Sequence, residues 1–165
     1  MSEDNTPQDW IRIAQACHEE LLKQDVEGVI VSRGTDTLHY TSAALSFMLR
    51  DLSKPVIVVG SQRSSDRGSS DAEMNLVCAA RLAVSDIAEV GTCLHGDTSD
   101  TFCFFNRGTN VRKMHTSRRD AFRPINRVPI AKVWPDGNME LLSDFRKRST
   151  NDTKLDAVFE ENIAL

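Results

Sequence analysis

No stretch of this 165-residue sequence is long and apolar enough to cross a bilayer. Its longest uninterrupted apolar runs are a few residues, such as 56–59, against roughly 20 for a spanning helix. The opening residues Met1-Ser2-Glu3-Asp4-Asn5 carry neither a basic nor an apolar leader region, so no secretory signal is read and a cytosolic protein with no membrane contact is expected. There is no C-x-x-C pair. Cys17, Cys78, Cys93 and Cys103 lie far apart in apolar contexts and are expected as reduced core thiols. His18, His39, His95 and His115 show no ligand spacing, and no structural metal is expected. Charge of one sign is not in excess. Twenty Lys and Arg against 24 Asp and Glu give a net charge of -4, so any RNA contact has to be local. Neither the P-loop nor the dinucleotide glycine pattern occurs, and no internal repeat or low-complexity tract is present.

With 40% hydrophobic residues the chain is long enough for one domain with a real core. Thr6 as N-cap, Pro7 at the first helical position and Trp10, Ile13, Ala14, Cys17 and Leu21 at helical spacing predict a helix to about Gln24. Residues 26–32 read as a strand buried on both faces, because the run is β-branched and does not alternate with polar residues. A mostly buried helix follows over 40–49 with Ala43, Ala44, Phe47 and Met48, then a second short strand from Val56. Asp71 is positioned to cap a third helix containing Met74, Leu76, Val77, Ala80, Leu82 and Ala83. Residues 87–94 and 101–105 predict two strands divided by a turn at 95–100. A hairpin is predicted at 128–142 around Pro135-Asp136-Gly137. Residues 144–156 are polar and read as a linker, and the apolar final residues start something further. Strand and helix in alternation, followed by strands, indicate a layered α/β fold with parallel pairing in its first half.

Three segments are candidates for chemistry. Arg33-Gly34-Thr35-Asp36-Thr37 follows the first strand, at the end where open parallel sheets hold ligands. Gly34 lets backbone approach a ligand, and Thr35 and Asp36 set a hydroxyl beside a carboxylate. The plainer reading is that Thr35 or Asp36 caps the helix beginning near Leu38. Residues 107–122 gather Arg112, Lys113, Arg118 and Arg119 around Met114-His115-Thr116-Ser117 without periodicity. That is either a solvated basic loop or a loop aiming one lysine inward to tune a hydroxyl, with Arg118, Arg119 and Arg123 available to phosphates. Residues 61–71, rich in Ser and Arg, read as a structural loop.

Taken together, Gly34-Thr35-Asp36-Thr37, the run 55–75 with Gly60-Ser61-Gln62-Arg63-Ser64-Ser65-Asp66, and Val111-Arg112-Lys113-Met114-His115-Thr116-Ser117-Arg118-Arg119-Asp120-Ala121-Phe122 resemble the L-asparaginase family. Within it they look most like the amidase subunits of tRNA-dependent amidotransferases, over essentially the whole chain. The resemblance implies a three-layer α/β/α fold with a mostly parallel sheet, the Rossmann-like N-terminal domain of the asparaginase fold, ending in a β-hairpin and linker. It implies Thr35, Asp36 and Lys113 as catalytic residues, and Ser2, Glu3 and Gly34 as substrate-binding residues. It further implies ammonia release from glutamine or asparagine. A kinase-type, tRNA-binding partner subunit then uses that ammonia, with ATP and Mg, to convert Glu-tRNA(Gln) to Gln-tRNA(Gln). No cofactor is implied in this chain, and a homo-oligomer is.

The departures shape the expectation. No Gly-Gly-Thr-Ile-like loop precedes Ser2, so the family's first strand and nucleophilic threonine have no counterpart here. Arg33 stands where many relatives carry histidine. Residues 1–142 are therefore expected as a catalytic domain lacking those parts, residues 143–165 as a linker and the start of a truncated second domain, and the isolated chain as inactive. A free-standing cytosolic L-asparaginase and a non-catalytic α/β interaction module are the competing readings.

Overall fold

Thr6 and Pro7 open the first helix, α1 (Pro7–Leu21), as expected. Proline's missing N–H costs nothing there, and the Asp9 carboxylate accepts from both the Thr6 N–H and its hydroxyl at 2.9 Å. The computed structural model describes residues 2–162, with the Ser2 side chain outside the described part. The apolar residues 163–165, expected to start a further element, also lie outside it. After α1 come β1 (Val29–Ser32), α2 (Leu38–Met48), β2 (Leu49–Arg50), β3 (Val56–Val59), α3 (Ala72–Ala83), β4 (Val90–His95) and β5 (Cys103–Arg107). The chain continues through β6 (Val111–Lys113), β7 (Phe122–Pro124), β8 (Ala131–Val133), β9 (Met139–Leu141) and β10 (Lys154–Leu155).

Six strands form one mixed sheet in the order β1-β3-β4-β5-β8-β9. β1, β3 and β4 run parallel, with Ser32 opposite Val59 and Val59 opposite Cys93. β5, β8 and β9 then return antiparallel. The parallel first half is thus as expected, and β8 and β9 are the expected hairpin, with Gly137 at φ +99 in its turn, a conformation that favours glycine.

Alternation along β3 builds two cores. Val56 and Val58 face Ala14, Cys17 and Leu21 of α1 and Leu38, Leu45 and Met48 of α2. Ile57 and Val59 face Cys78, Ala79 and Leu82 of α3 with Cys93, Cys103 and Phe105. Helices on both faces of a central sheet give three layers. Each fully buried aliphatic side chain in them contributes about 1.5–3 kcal/mol relative to exposure. All four cysteines are free and buried.

Four expectations need correction. β1 is half-buried rather than buried on both faces, because among the described residues it borders only β3 in the sheet. Phe47 is 69% exposed, since the buried stripe of α2 is Leu38, Thr41, Ser42, Leu45 and Met48. Leu76 and Val77 likewise lie on the outer side of α3. Residues 107–122 are not irregular throughout: β6 and β7 pair antiparallel around the segment 114–121. Residues 143–162 run along the domain, with Ala88 N–H donating to Arg146 O, β10 pairing with β2, and Phe159 stacked on Trp10.

Candidate active site

The site lies where β1 and β3 end side by side. Arg33 N–H donates to Val59 O at 2.8 Å, extending the ladder one residue past β1. Gly60 permits this approach, because a Cβ on it would stand 2.4 Å from Arg33 O. The chain then turns through Gly34, Thr35 and Asp36. The N-cap of α2 falls on Thr37. Neither Thr35 nor Asp36 therefore occupies the N-cap position that the plainer reading of the turn gives them.

Lys113 reaches this turn from the far side of the sequence. On the β6–β7 ribbon Val111 and Phe122 are buried, and the ribbon holds Lys113 opposite Phe122. The lysine side chain is only 10% exposed. Its Nζ donates to Thr35 Oγ1 at 2.8 Å and to Asp36 Oδ1 at 2.9 Å. Three residues picked from sequence, two of them 77 and 78 positions from the third, thus meet at one point. Gly34 is exposed in the turn beside them. Glu3 is exposed on the 3-10 turn Ser2–Asp4, and among the described residues no hydrogen bond joins it to the three. The arrangement is a hydroxyl and a carboxylate sharing one shielded amine, which suits proton transfer to or from the hydroxyl.

The charges around it are arranged unequally. Burial, reinforced by the Arg112 and Lys113 charges, holds His39 below the usual histidine range. Burial raises the Asp120 carboxyl, but its hydrogen bond from Arg118 and the Arg123 and Arg118 charges outweigh that and leave it lowered. The arginines offered to phosphates from sequence are matched to carboxylates within the protein. Arg118 grips Asp120 with two nitrogens at 2.9 and 2.8 Å, Arg123 meets the same carboxylate, and Arg119 binds Asp100 at 2.7 Å. By contrast Arg33 has Nε and Nη2 buried with no acceptor among the described residues.

Sequence reasoning missed the residues that support the turn. Asp71 stands at the N-cap position of α3, as expected, but its side chain makes no capping hydrogen bond to the helix backbone. Its carboxylate instead accepts from the backbone N–H groups of Gln62 and Arg63 at 3.0 and 2.9 Å and from Asn75 Nδ2 at 3.0 Å, folding residues 61–71 back on themselves. Gln62 Nε2 donates to Arg118 O at 2.8 Å. The structural reading of that loop holds. A buried Asn in the middle of an otherwise apolar helix face was the available signal.

The fold and the shared amine together define an α/β protein with a Thr-Lys-Asp constellation at the carboxyl end of its parallel strands. Residues 1–146 match the family described as asparaginase, N-terminal, and the chain belongs to the asparaginase family. It is 61% identical over 166 residues to a glutamyl-tRNA(Gln) amidotransferase subunit of Thermococcus kodakarensis, covering 100% of this chain and 38% of that one. It is 50% identical over 164 residues to the like-named protein of Methanothermobacter thermautotrophicus, covering 99% of this chain and 37% of that one. The chain thus spans well under half the length of these relatives. Among solved structures, the thermostable L-asparaginase from Thermococcus kodakarensis superposes with a TM-score of 0.83 at 30% identity, over 94% of this chain and 44% of that one.

Proposed function

We propose that this chain carries the activating part of an amidase site that releases ammonia from the side-chain amide of glutamine or asparagine. The observation that carries the reading is the Lys113 side chain, 10% exposed, with its amine bonded to both Thr35 Oγ1 and Asp36 Oδ1. In its neutral form the amine takes the Thr35 hydroxyl proton, and Asp36 balances the ammonium so formed. The activated Thr35 in turn draws a proton from the attacking hydroxyl, which the family supplies from a separate threonine. Attack forms a C–O bond at the amide carbon. The leaving nitrogen takes back the proton held by the Lys113 ammonium as the C–N bond breaks and departs as ammonia, and water then hydrolyses the ester left on the attacking hydroxyl. Ser2, Glu3 and Asp36 hold the donor's charged α-groups, and backbone N–H groups near Gly34 steady the oxyanion. Residues 1–142 are read as a catalytic domain lacking its first strand and nucleophile loop, and 143–165 as a linker and the start of a truncated second domain.

The high identity to amidotransferase subunits favours a role in tRNA-dependent amidation in the cytoplasm. There a kinase-type subunit binding ATP and Mg consumes the ammonia on Glu-tRNA(Gln), and this amidase subunit acts as a homo-oligomer. A free-standing L-asparaginase is the second reading, favoured by the likeness to solved L-asparaginases. The test is a graft of this chain in place of the matching stretch of the Thermococcus kodakarensis amidotransferase subunit, assayed for ammonia with glutamine and with asparagine. The reading expects release that falls to background in Lys113→Met. Undiminished release in that variant overturns it. Stimulation by the partner subunit and Glu-tRNA(Gln) separates the first role from the second.

A further inference from the structure

A run of hydrogen bonds leaves the segment 114–121 at one point and returns to it at the next residue. Arg118 O accepts from Gln62 Nε2, and Gln62 N–H donates to Asp71 Oδ2. Asn75 Nδ2 donates to the same oxygen, and Asn75 Oδ1 faces His95 Nδ1 at 2.6 Å. His95 Nε2 faces Asp100 Oδ1 at 3.0 Å, and Asp100 Oδ1 accepts from Arg119 Nη1 at 2.7 Å. The circuit is closed by the peptide between residues 118 and 119. It draws on the loops that follow β3 and β4 and on the first turn of α3, and it is anchored at residues 118 and 119 of the stretch that begins one residue after Lys113.

The proton count along this circuit is fixed by its partners. Asn75 Nδ2 also donates to Gly60 O at 2.9 Å, and both of its partners can only accept. The amide orientation is thereby settled, with Oδ1 turned to His95. An acceptor therefore meets Nδ1, and a carboxylate meets Nε2. Both ring nitrogens must donate, which makes the ring an imidazolium. His95 is 1% exposed, so this charge has left water and depends on Asp100 as its counterion. The His95 hydrogen bond is the leading cause holding the Asp100 carboxyl below its usual range, with Arg119 adding to it against burial.

We infer that His95 is a buried imidazolium whose bonds to Asn75 and Asp100 close a circuit that positions the Lys113 segment against Thr35. His95 is a positioning residue: it acts through Asp100 and Arg119 and touches none of Thr35, Asp36 or Lys113 by hydrogen bond among the described residues. The inference rests on the reading of Lys113 as the site's amine, but its test needs no turnover.

The probes are the imidazole ¹⁵N signals of His95 and amine acylation of Lys113 in this chain, followed by mass spectrometry. Exposed Lys154 serves as the labelling control and buried Cys78 as the reporter of global opening. In the unaltered chain at neutral pH both His95 nitrogens are expected to carry protons, and Lys113 to label slowly. Asp100→Ala removes a side chain that is 63% exposed, so the core is left intact. It is expected to leave one protonated ring nitrogen and to raise Lys113 labelling about tenfold with Cys78 unchanged, as local opening does. Asp100→Asn, which keeps an acceptor, restores slow labelling in part. A singly protonated His95 in the unaltered chain overturns the inference. So does Lys113 labelling that stays constant in Asp100→Ala, or that rises only in step with Cys78. Should Lys113 prove dispensable for ammonia release while these results hold, the amidase reading fails and the circuit stands.

Discussion

The turn after β1 and the loop after β3 start from adjacent backbone atoms, Arg33 and Gly60, and solve opposite problems. In the first, side chains face outward: Asp36 is 61% exposed and Thr35 half-buried, with the Lys113 amine brought to them from elsewhere. In the second, side chains face inward: Asp71 and Asn75 are fully buried, and their polar atoms are spent on the loop's own backbone, Gly60 O and His95. A turn proposed to admit a ligand cannot seal its polar groups, so on that reading its geometry is set by a neighbour that can. The difference follows from place in the sheet. β3 is flanked on both sides and covered on both faces, whereas β1 borders one strand among the described residues.

This contrast is broken most severely at Asn75. Asn75→Ala leaves Gly60 O, Asp71 Oδ2 and His95 Nδ1 without that partner in the interior. It is expected to cost about 3 kcal/mol, measured by urea unfolding. A loss below about 1 kcal/mol would mean that the loop holds its shape without the buried network.

Acid gives a smaller, local effect. Asp100 and Asp120 are both held below the ordinary carboxylate value in the folded protein. Their contribution is therefore fully present above the ordinary carboxylate range, and it is lost as pH falls through the lowered folded values. Hydrogen exchange is expected to show the amides of Met114 and Ala121, which close the segment after Lys113, opening under acid before those of β3. Simultaneous opening of both regions contradicts the account.

The smallest stability effect is expected in the turn itself. Thr35→Ala removes one acceptor from Lys113 but leaves Asp36 in place, so unfolding free energy should change by no more than about 0.5 kcal/mol. A change as large as that of Asn75→Ala would place Thr35 in the support, not the chemistry.

The contrast also explains what could be read from sequence. Val56-Ile57-Val58-Val59 announces a buried strand by composition, and its place in the sheet agrees. Val29-Ile30-Val31 has the same composition and the opposite setting, because burial of a strand depends on neighbours that composition does not name. Phe47 misleads for a related reason: its side chain is apolar, but the inward stripe of α2 passes through Leu45 and Met48. Thr35, Asp36 and Lys113 were legible because the resemblance joined distant segments that local pattern kept apart. The circuit through His95 was not. Its members at 62, 71, 75, 95, 100 and 119 share no spacing and are brought together only by the strand order. The two-residue strands β2 and β10 are too short to leave a periodicity.

The central claim is that Thr35 and Lys113 act as one unit, and a double-mutant cycle on ammonia release by the grafted protein tests it most directly. If they form a unit, Thr35→Ala and Lys113→Met each lower kcat by about 10³-fold or more, and the double variant is no worse than either single one. Losses that multiply in the double variant, or a single variant that keeps its rate, contradict the claim.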